Sequence, residues 1–194
     1  MSQASGVNEY MSQASGVNRH MSQTAAQKSP QQRDQTPITA SSVILFDTCV
    51  WVDFFTNRYG TASDVAHIID YIDSREAKLA TSVMSAKDVF FLVQAYLKRL
   101  TPPDEQVRQA PARKHVAWAC VKDIRQRSTI IGADVADIVE AECLRSIHDD
   151  LEDNLALAAA KRVQASILVT EDKQLQARAA VPSFGIKELA ALIV

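Results

Sequence analysis

From Ser42 onward, short runs of β-branched and aromatic residues alternate with longer stretches whose apolar positions recur at helical spacing. SVILFDT (42–48) has the composition of a strand buried on both faces of a sheet. In TASDVAHIIDYIDSRE (61–76), Val65, Ile68, Ile69 and Ile72 follow the 3.6-residue period and predict a helix with Ser63 as its cap. KLATS (78–82) predicts a second strand, and SAKDVFFLVQAYLKRL (85–100) a second long helix stopped by Pro102 and Pro103. Pro111 suits the first turn of a helix over 111–127, with Val116, Ala119, Cys120 and Ile124 along one side. STIIG (128–132) predicts a third strand, followed by helices over 133–147 and 149–165. The second of these opens with acids and closes with Lys161 and Arg162, as the helix dipole favours. SILVT (166–170) predicts a fourth strand, and VPSF with IKELAALIV an edge strand and a terminal helix. Such alternation implies a mostly parallel sheet of about five strands with helices on both faces: a three-layer α/β/α domain over residues 42–194.

Residues 1–40 break that pattern. MSQASGVNEY, MSQASGVNRH and MSQTAAQKSP repeat with a ten-residue period, rich in Ser, Gln, Ala and Asn and poor in large apolar side chains. Such a segment cannot bury enough surface to offset its ordering entropy, so a disordered tail is expected. Methionines at 1, 11 and 21 also fit a duplicated leader or a misplaced start, and the segment is assigned no activity.

The rest of the composition narrows little. A 47% hydrophobic and 23% charged chain of net charge −2 is an ordinary globular one, and a mild acidic excess does not exclude a nucleic-acid substrate. Cys49, Cys120 and Cys143 are odd in number and lack zinc-ligand spacing, which points to a reduced, cytoplasmic protein. No apolar run is long enough to span a membrane, and the N-terminus lacks a signal-peptide layout.

Candidate chemistry lies in four aspartates. Asp47 ends the first strand, Asp172 lies just past the fourth, and Asp88 falls at the start of the helix after the second. Asp153 lies in the acidic start of the 149–165 helix, with Asp150 three residues before it on the same face. In an open parallel sheet the carboxyl ends of the strands share one crevice, so four or five carboxylates are expected in one cleft. Oxygen ligands favour Mg²⁺ or Mn²⁺ over Zn²⁺, and such ions activate water and stabilise phosphoryl charge. Phosphodiester hydrolysis is the natural chemistry.

These residues resemble a known family. VILFDTCVWVDFF, TSVMSAKDVFF and DLEDNLALAAAKRVQASILVTEDKQL are similar in order and spacing to the PIN domain nucleases, and among them to the VapC-like toxin ribonucleases. The resemblance covers about residues 42–194 and implies that Asp47, Asp88, Asp153 and Asp172 take the four acidic catalytic and metal-binding positions. It implies auxiliary roles for Asp150, Thr48 and Thr170, an Mg²⁺ or Mn²⁺ cofactor, an RNA substrate, a cognate antitoxin and a homodimer. Asp88 departs from the Glu that many members carry at the second position.

The plainer readings concern other residues. Asp53, Asp64, Asp70, Asp73, Asp123, Asp134 and Asp137 read as solvated or capping acids, and Trp51, Phe54 and Phe55 as core or dimer contacts. His20, His67, His115 and His148 lack metal-ligand spacing and read as structural or exposed. Over 104–127, Arg108, Arg113, Lys114, Lys122, Arg125 and Arg127 outnumber Asp104, Glu105 and Asp123, a face that is either simply solvated or drawn to phosphate. Two alternatives to the ribonuclease stand beside it: an inactive PIN-like module that binds RNA or protein, and a haloacid-dehalogenase-like phosphatase. Cys49 disfavours the second, because it occupies the place of that family's second Asp.

Overall fold

The computed structural model describes residues 38–193. The expected tail lies outside the described residues except for 38–40, where Ile38 is buried against the core. Five strands, β1 (Val43–Phe46), β2 (Lys78–Ser82), β3 (Thr129–Ile131), β4 (Ile167–Val169) and β5 (Ser183–Phe184), form one sheet in the order β3-β2-β1-β4-β5. Every neighbouring pair is parallel. The helices are α1 (Thr48–Thr56), α2 (Ala62–Ser74), α3 (Val83–Leu100), α4 (Ala110–Arg127), α5 (Val135–Leu144), α6 (Leu151–Arg162), α7 (Lys173–Arg178) and α8 (Ile186–Leu192).

Alternate residues of β1 serve different layers, as the pleat requires. Ile44 and Phe46 join a core built with α1, α2, α3, α4 and α8, including Trp51, Ile68, Val89, Ile124 and Ile186. Leu45 faces the other way, with Ala80, Ile131 and Leu168, onto Ala159 and Ala160 of α6 and Leu175 of α7. The expected three-layer α/β/α architecture follows. None of the helices among the described residues is long and apolar enough to cross a membrane, and all three cysteines are free.

Two helices have no counterpart in the hydrophobic pattern, α1 and α7. TCVWVDFFT is β-branched and aromatic, a composition that favours strands, yet it is helical from Thr48 to Thr56. Asp47 caps it by accepting from Thr48 N–H at 2.6 Å, and burial of Val50, Trp51 and Val52 overrides propensity. The Trp51 indole N–H donates to Thr81 Oγ1 at 3.0 Å, which pins α1 to β2. α7 is only six residues long, too short for a periodic signal.

Three local expectations shift. α2 is preceded by Thr61 rather than capped by Ser63, which lies inside it. α3 begins at Val83, with Ser82 Oγ accepting from Ser85 N–H at 2.9 Å, so Asp88 lies in its second turn, not its first. On α4 the buried positions are Ala117, Cys120 and Ile124, while Val116 and Ala119 are exposed.

Candidate active site

Strand order reverses between β1 and β4, so these neighbours send their connections in opposite directions and leave a crevice at their carboxyl ends. Asp47 follows β1 at that point and its backbone N–H donates to Val169 O at 3.0 Å. Its side chain is held by neutral donors. Oδ1 accepts from Thr48 N–H, and Oδ2 accepts from Thr170 Oγ1 at 2.7 Å and from Cys49 Sγ at 3.2 Å. Burial pushes the Cys49 thiol far above its ordinary range, and the Asp47 charge pushes it further, so the sulfur stays protonated and is no nucleophile.

Asp172 caps α7: its Oδ1 accepts from Gln174 N–H at 2.7 Å and Leu175 N–H at 2.9 Å. Its own N–H donates to Thr170 Oγ1, so Thr170 links the two aspartates. Thr170 is fully buried and Thr48 nearly so, which fits supporting positions rather than exposed ones. Asp150 caps α6 through Oδ1, accepting from Glu152 N–H and Asp153 N–H. Asp88 is paired with Lys87 at 2.6 Å.

Asp153 is bound by a residue to which its sequence spacing gave no role. His148 Nε2 bonds to Asp153 Oδ2, and Arg178 Nη1 bonds to His148 Nδ1. Arginine can only donate, so Nδ1 is the acceptor and Nε2 carries the proton given to Asp153. His148 is therefore part of the acidic cleft and not merely structural or exposed. His67, by contrast, bonds to the carbonyl of Ile193, and His20 lies outside the described residues.

Glu152 is the acid that sequence reasoning missed. Although the residue is exposed, partial desolvation raises its carboxyl above the ordinary value, and the charges of Asp88, Asp47, Asp150 and Asp153 raise it further. Burial likewise raises Asp153; its His148 bond pulls the other way, and Asp172 and Asp150 add to the rise. The five acids named from sequence thus share one electrostatic neighbourhood, with Glu152 as a sixth member. No sequence signal singles it out, because an acid in the first turn of a helix is what the helix dipole favours in any case.

The side chains do not form a ready cage. Among the described residues no group of three or more His, Cys, Asp or Glu side chains is gathered to hold a metal ion. Asp150 and Asp172 are turned toward helix N–H groups, Asp88 toward Lys87 and Asp153 toward His148. In chemistry, however, the set fits a hard divalent cation, because its donors are all carboxylate oxygens.

Elsewhere two expectations meet the structure. Asp53 is neither solvated nor capping: it is 1% exposed and paired with Arg58. In the basic segment, Arg108 pairs with Glu105, Arg127 with Asp123, and Arg113 donates to Gln106 O, so half of its cations are engaged locally.

A family model described as the PIN domain matches residues 43–174, more than half of the chain. The chain belongs to the PIN domain family. PIN domains are generally nucleases and typically use divalent metals. No curated protein matches the chain significantly. Among solved structures, the fold is similar to that of VapBC2 from Rickettsia felis, bound to a DNA fragment from its promoter. That match has 13% identity, covers 74% of this chain and 98% of that one, and has a TM-score of 0.53. PAE2754 from Pyrobaculum aerophilum is similar at 16% identity, over 81% and 98% of the two chains, with a TM-score of 0.52. A toxin–antitoxin complex from Klebsiella pneumoniae matches at 16% identity, over 74% and 97%, with a TM-score of 0.50. At such identities the likeness is one of fold. It agrees with the parallel five-stranded PIN architecture of this chain.

Proposed function

We propose that this PIN domain is an Mg²⁺- or Mn²⁺-dependent endoribonuclease, with Asp47, Asp88, Asp153 and Asp172 as its metal-binding and catalytic acids. The observation that carries the proposal is geometric: at the β1/β4 switch point Thr170 Oγ1 donates to Asp47 Oδ2 and accepts from the Asp172 N–H, which joins acids 125 residues apart at one strand edge. Negative charge gathered at the β1/β4 switch point needs a cation. A bound divalent ion supplies a more acidic water and positive charge for the phosphoryl oxygens. The chain's own residues do the rest. Thr170 and Cys49 hold the Asp47 carboxylate in one orientation, and the His148–Arg178 pair does the same for Asp153. Lys87, beside Asp88, offers an ammonium to an incoming phosphate. A recessed acidic cleft favours single-stranded or looped RNA, whose unstacked nucleotides reach it more readily than a duplex.

We further propose that the protein works in the cytoplasm as the toxin of a toxin–antitoxin pair, with a small antitoxin as its inhibitor and a homodimer as its assembly. Membership of the PIN family and fold similarity to proteins of toxin–antitoxin complexes support this reading. The test is cleavage of total RNA with mapped ends, with and without Mg²⁺ or Mn²⁺, comparing wild type with Asp47→Asn and Asp153→Asn. Metal-dependent ends lost in both variants support the nuclease. If wild type makes no cuts, the chain is an inactive PIN module that binds RNA or protein; if the variants cut as well as wild type, Asp47 and Asp153 are not its catalytic acids and the proposal fails.

A further inference from the structure

A cavity of about 340 Å³ opens beside the acidic cleft, lined by Asp53, Tyr59, Thr61, Glu171, Lys173 and Lys187. It draws on the end of α1, the start of α2 and the turns that follow β4 and β5. Two buried oxygens on its wall lack a partner. Asp53 is 1% exposed; its Oδ1 accepts from Arg58 Nε, but Oδ2 has no hydrogen bond among the described residues. Thr61 is 5% exposed and its Oγ1 also has none. Buried polar atoms are almost always satisfied, so these two call for a ligand or for ordered water.

The chemistry of the wall narrows the ligand. Arg58 already balances the charge of Asp53, so Oδ2 is left as an acceptor seeking an N–H or O–H donor rather than as a net charge seeking a cation. Lys173 and Lys187 are exposed on the same wall beside Glu171 and Glu188, and their ammonium groups are the charged donors it has for an anionic group. Tyr59 adds an aromatic ring. Glu171 ties the cavity wall to the chain segment that carries the cleft. Glu171 lies between Thr170 and Asp172, and its N–H donates at 3.2 Å to Cys49 Sγ, which in turn bonds to Asp47. Along α1, Asp53 lies about 9 Å beyond Asp47 at the usual helical rise, close enough for a nucleotide joined to the phosphate held at Asp47.

We propose that the cavity is a base-recognition subsite for the nucleotide beside the scissile phosphate, selecting a base with an exocyclic amino group through Asp53 Oδ2 and Thr61 Oγ1. Lys173 and Lys187 hold the adjoining phosphate, and Tyr59 stacks on the base. The assignment rests on the nuclease function proposed above. Cytosine fits the wall: its amino group donates to Asp53 Oδ2 while the Thr61 hydroxyl donates to the neighbouring ring nitrogen. Uracil has the same shape but turns a carbonyl oxygen toward the carboxylate, so oxygen meets oxygen.

CMP and UMP, equal in shape and charge, make the test. Their affinities are measured by calorimetry for wild type, Asp53→Asn, Thr61→Val and Asp47→Asn, alongside RNA cleavage with mapped ends. Wild type is expected to bind CMP about tenfold more tightly than UMP. Asp53→Asn, whose amide donates where the carboxylate accepted, brings the ratio to about one, and the shape-preserving Thr61→Val narrows it. The same two variants flatten base preference at the cleavage sites. Asp47→Asn loses cleavage and keeps the CMP preference. Equal binding of CMP and UMP, binding of neither, or a ratio unchanged in both cavity variants overturns the subsite even if RNA is cut. Selective CMP binding by a wild type that cuts no RNA supports the subsite and overturns the nuclease alone.

Discussion

Asp47 caps α1 and Asp53 lies six residues on within it, and their surroundings divide the labour of the carboxyl edge between charge and hydrogen bonding. Asp47 receives three neutral donors, from Thr48, Cys49 and Thr170, which fix its position without cancelling its charge. Its neighbours Asp88, Glu152, Asp153 and Asp172 add to that charge. Asp53 is more deeply buried, yet Arg58 balances it and one of its oxygens is unmet. The first environment gathers like charge, while the second is balanced in charge and short of one hydrogen-bond donor. A buried or half-buried carboxylate therefore says little until its partners are counted.

The largest test of this contrast is Asp47→Asn, which keeps the shape and removes the charge. Its expected effect is a fall of about 10³-fold in metal-dependent RNA cleavage, read as an initial rate; an unchanged rate would break the division. Next is Arg58→Ala. It strands the Asp53 carboxylate and is expected to cost about 3 kcal/mol in urea unfolding at neutral pH. Because burial already raises the Asp53 carboxyl, that cost shrinks as the pH falls and the group takes a proton.

Glu152→Gln probes the charged side of the contrast through pH. Glu152 and Asp153 are raised above their ordinary 4.5 and 3.8, so the folded chain holds these protons more tightly than the unfolded one. Their contribution to stability is greatest below the ordinary values and is lost as pH rises through the raised, folded ones. Thermal midpoints followed upward from the acid range should fall more steeply in wild type than in Glu152→Gln, and added Mg²⁺ should offset the fall. The smallest effect is expected at Gly185, on the cavity wall. A Cβ there meets Glu171 Oε1 at 3.1 Å. Gly185→Ala should cost about 1 kcal/mol and weaken CMP binding by about threefold, read in the same calorimetric titration.

Much of this fold is legible in the residue pattern alone. β2 has the boundaries expected for KLATS, and β1, β3 and β4 lie within their predicted runs; the signal is clearest in β1 and β4, whose buried residues are dense in aliphatic and β-branched side chains. α1 is not legible in that way: its aromatic, β-branched sequence becomes helical only because Asp47 caps it and Trp51 finds Thr81 on β2. At the site, Asp47, Asp88, Asp150, Asp153 and Asp172 are visible as acids near strand ends and helix starts. Lys87, His148 and Arg178 are not, since nothing in their local sequence marks them as partners of those acids. Asp53 reads wrongly as solvated or capping, because nothing in the sequence around Arg58 shows that it accompanies Asp53 inward.

By itself, the sequence determined the alternation of strands and helices, and with it the edge of the sheet on which each aspartate falls. Hydrophobic period is a local property, and it reports which face of each element is buried. Only the tertiary structure decided which charges meet. Strand order brings Thr170 to Asp47 across 123 residues and sets Glu152 among four other carboxylates. It also leaves Asp53 Oδ2 and Thr61 Oγ1 unpaired beside one cavity. Electrostatic coupling and hydrogen bonding act over a few ångströms in space, and that proximity is set by packing rather than by spacing along the chain.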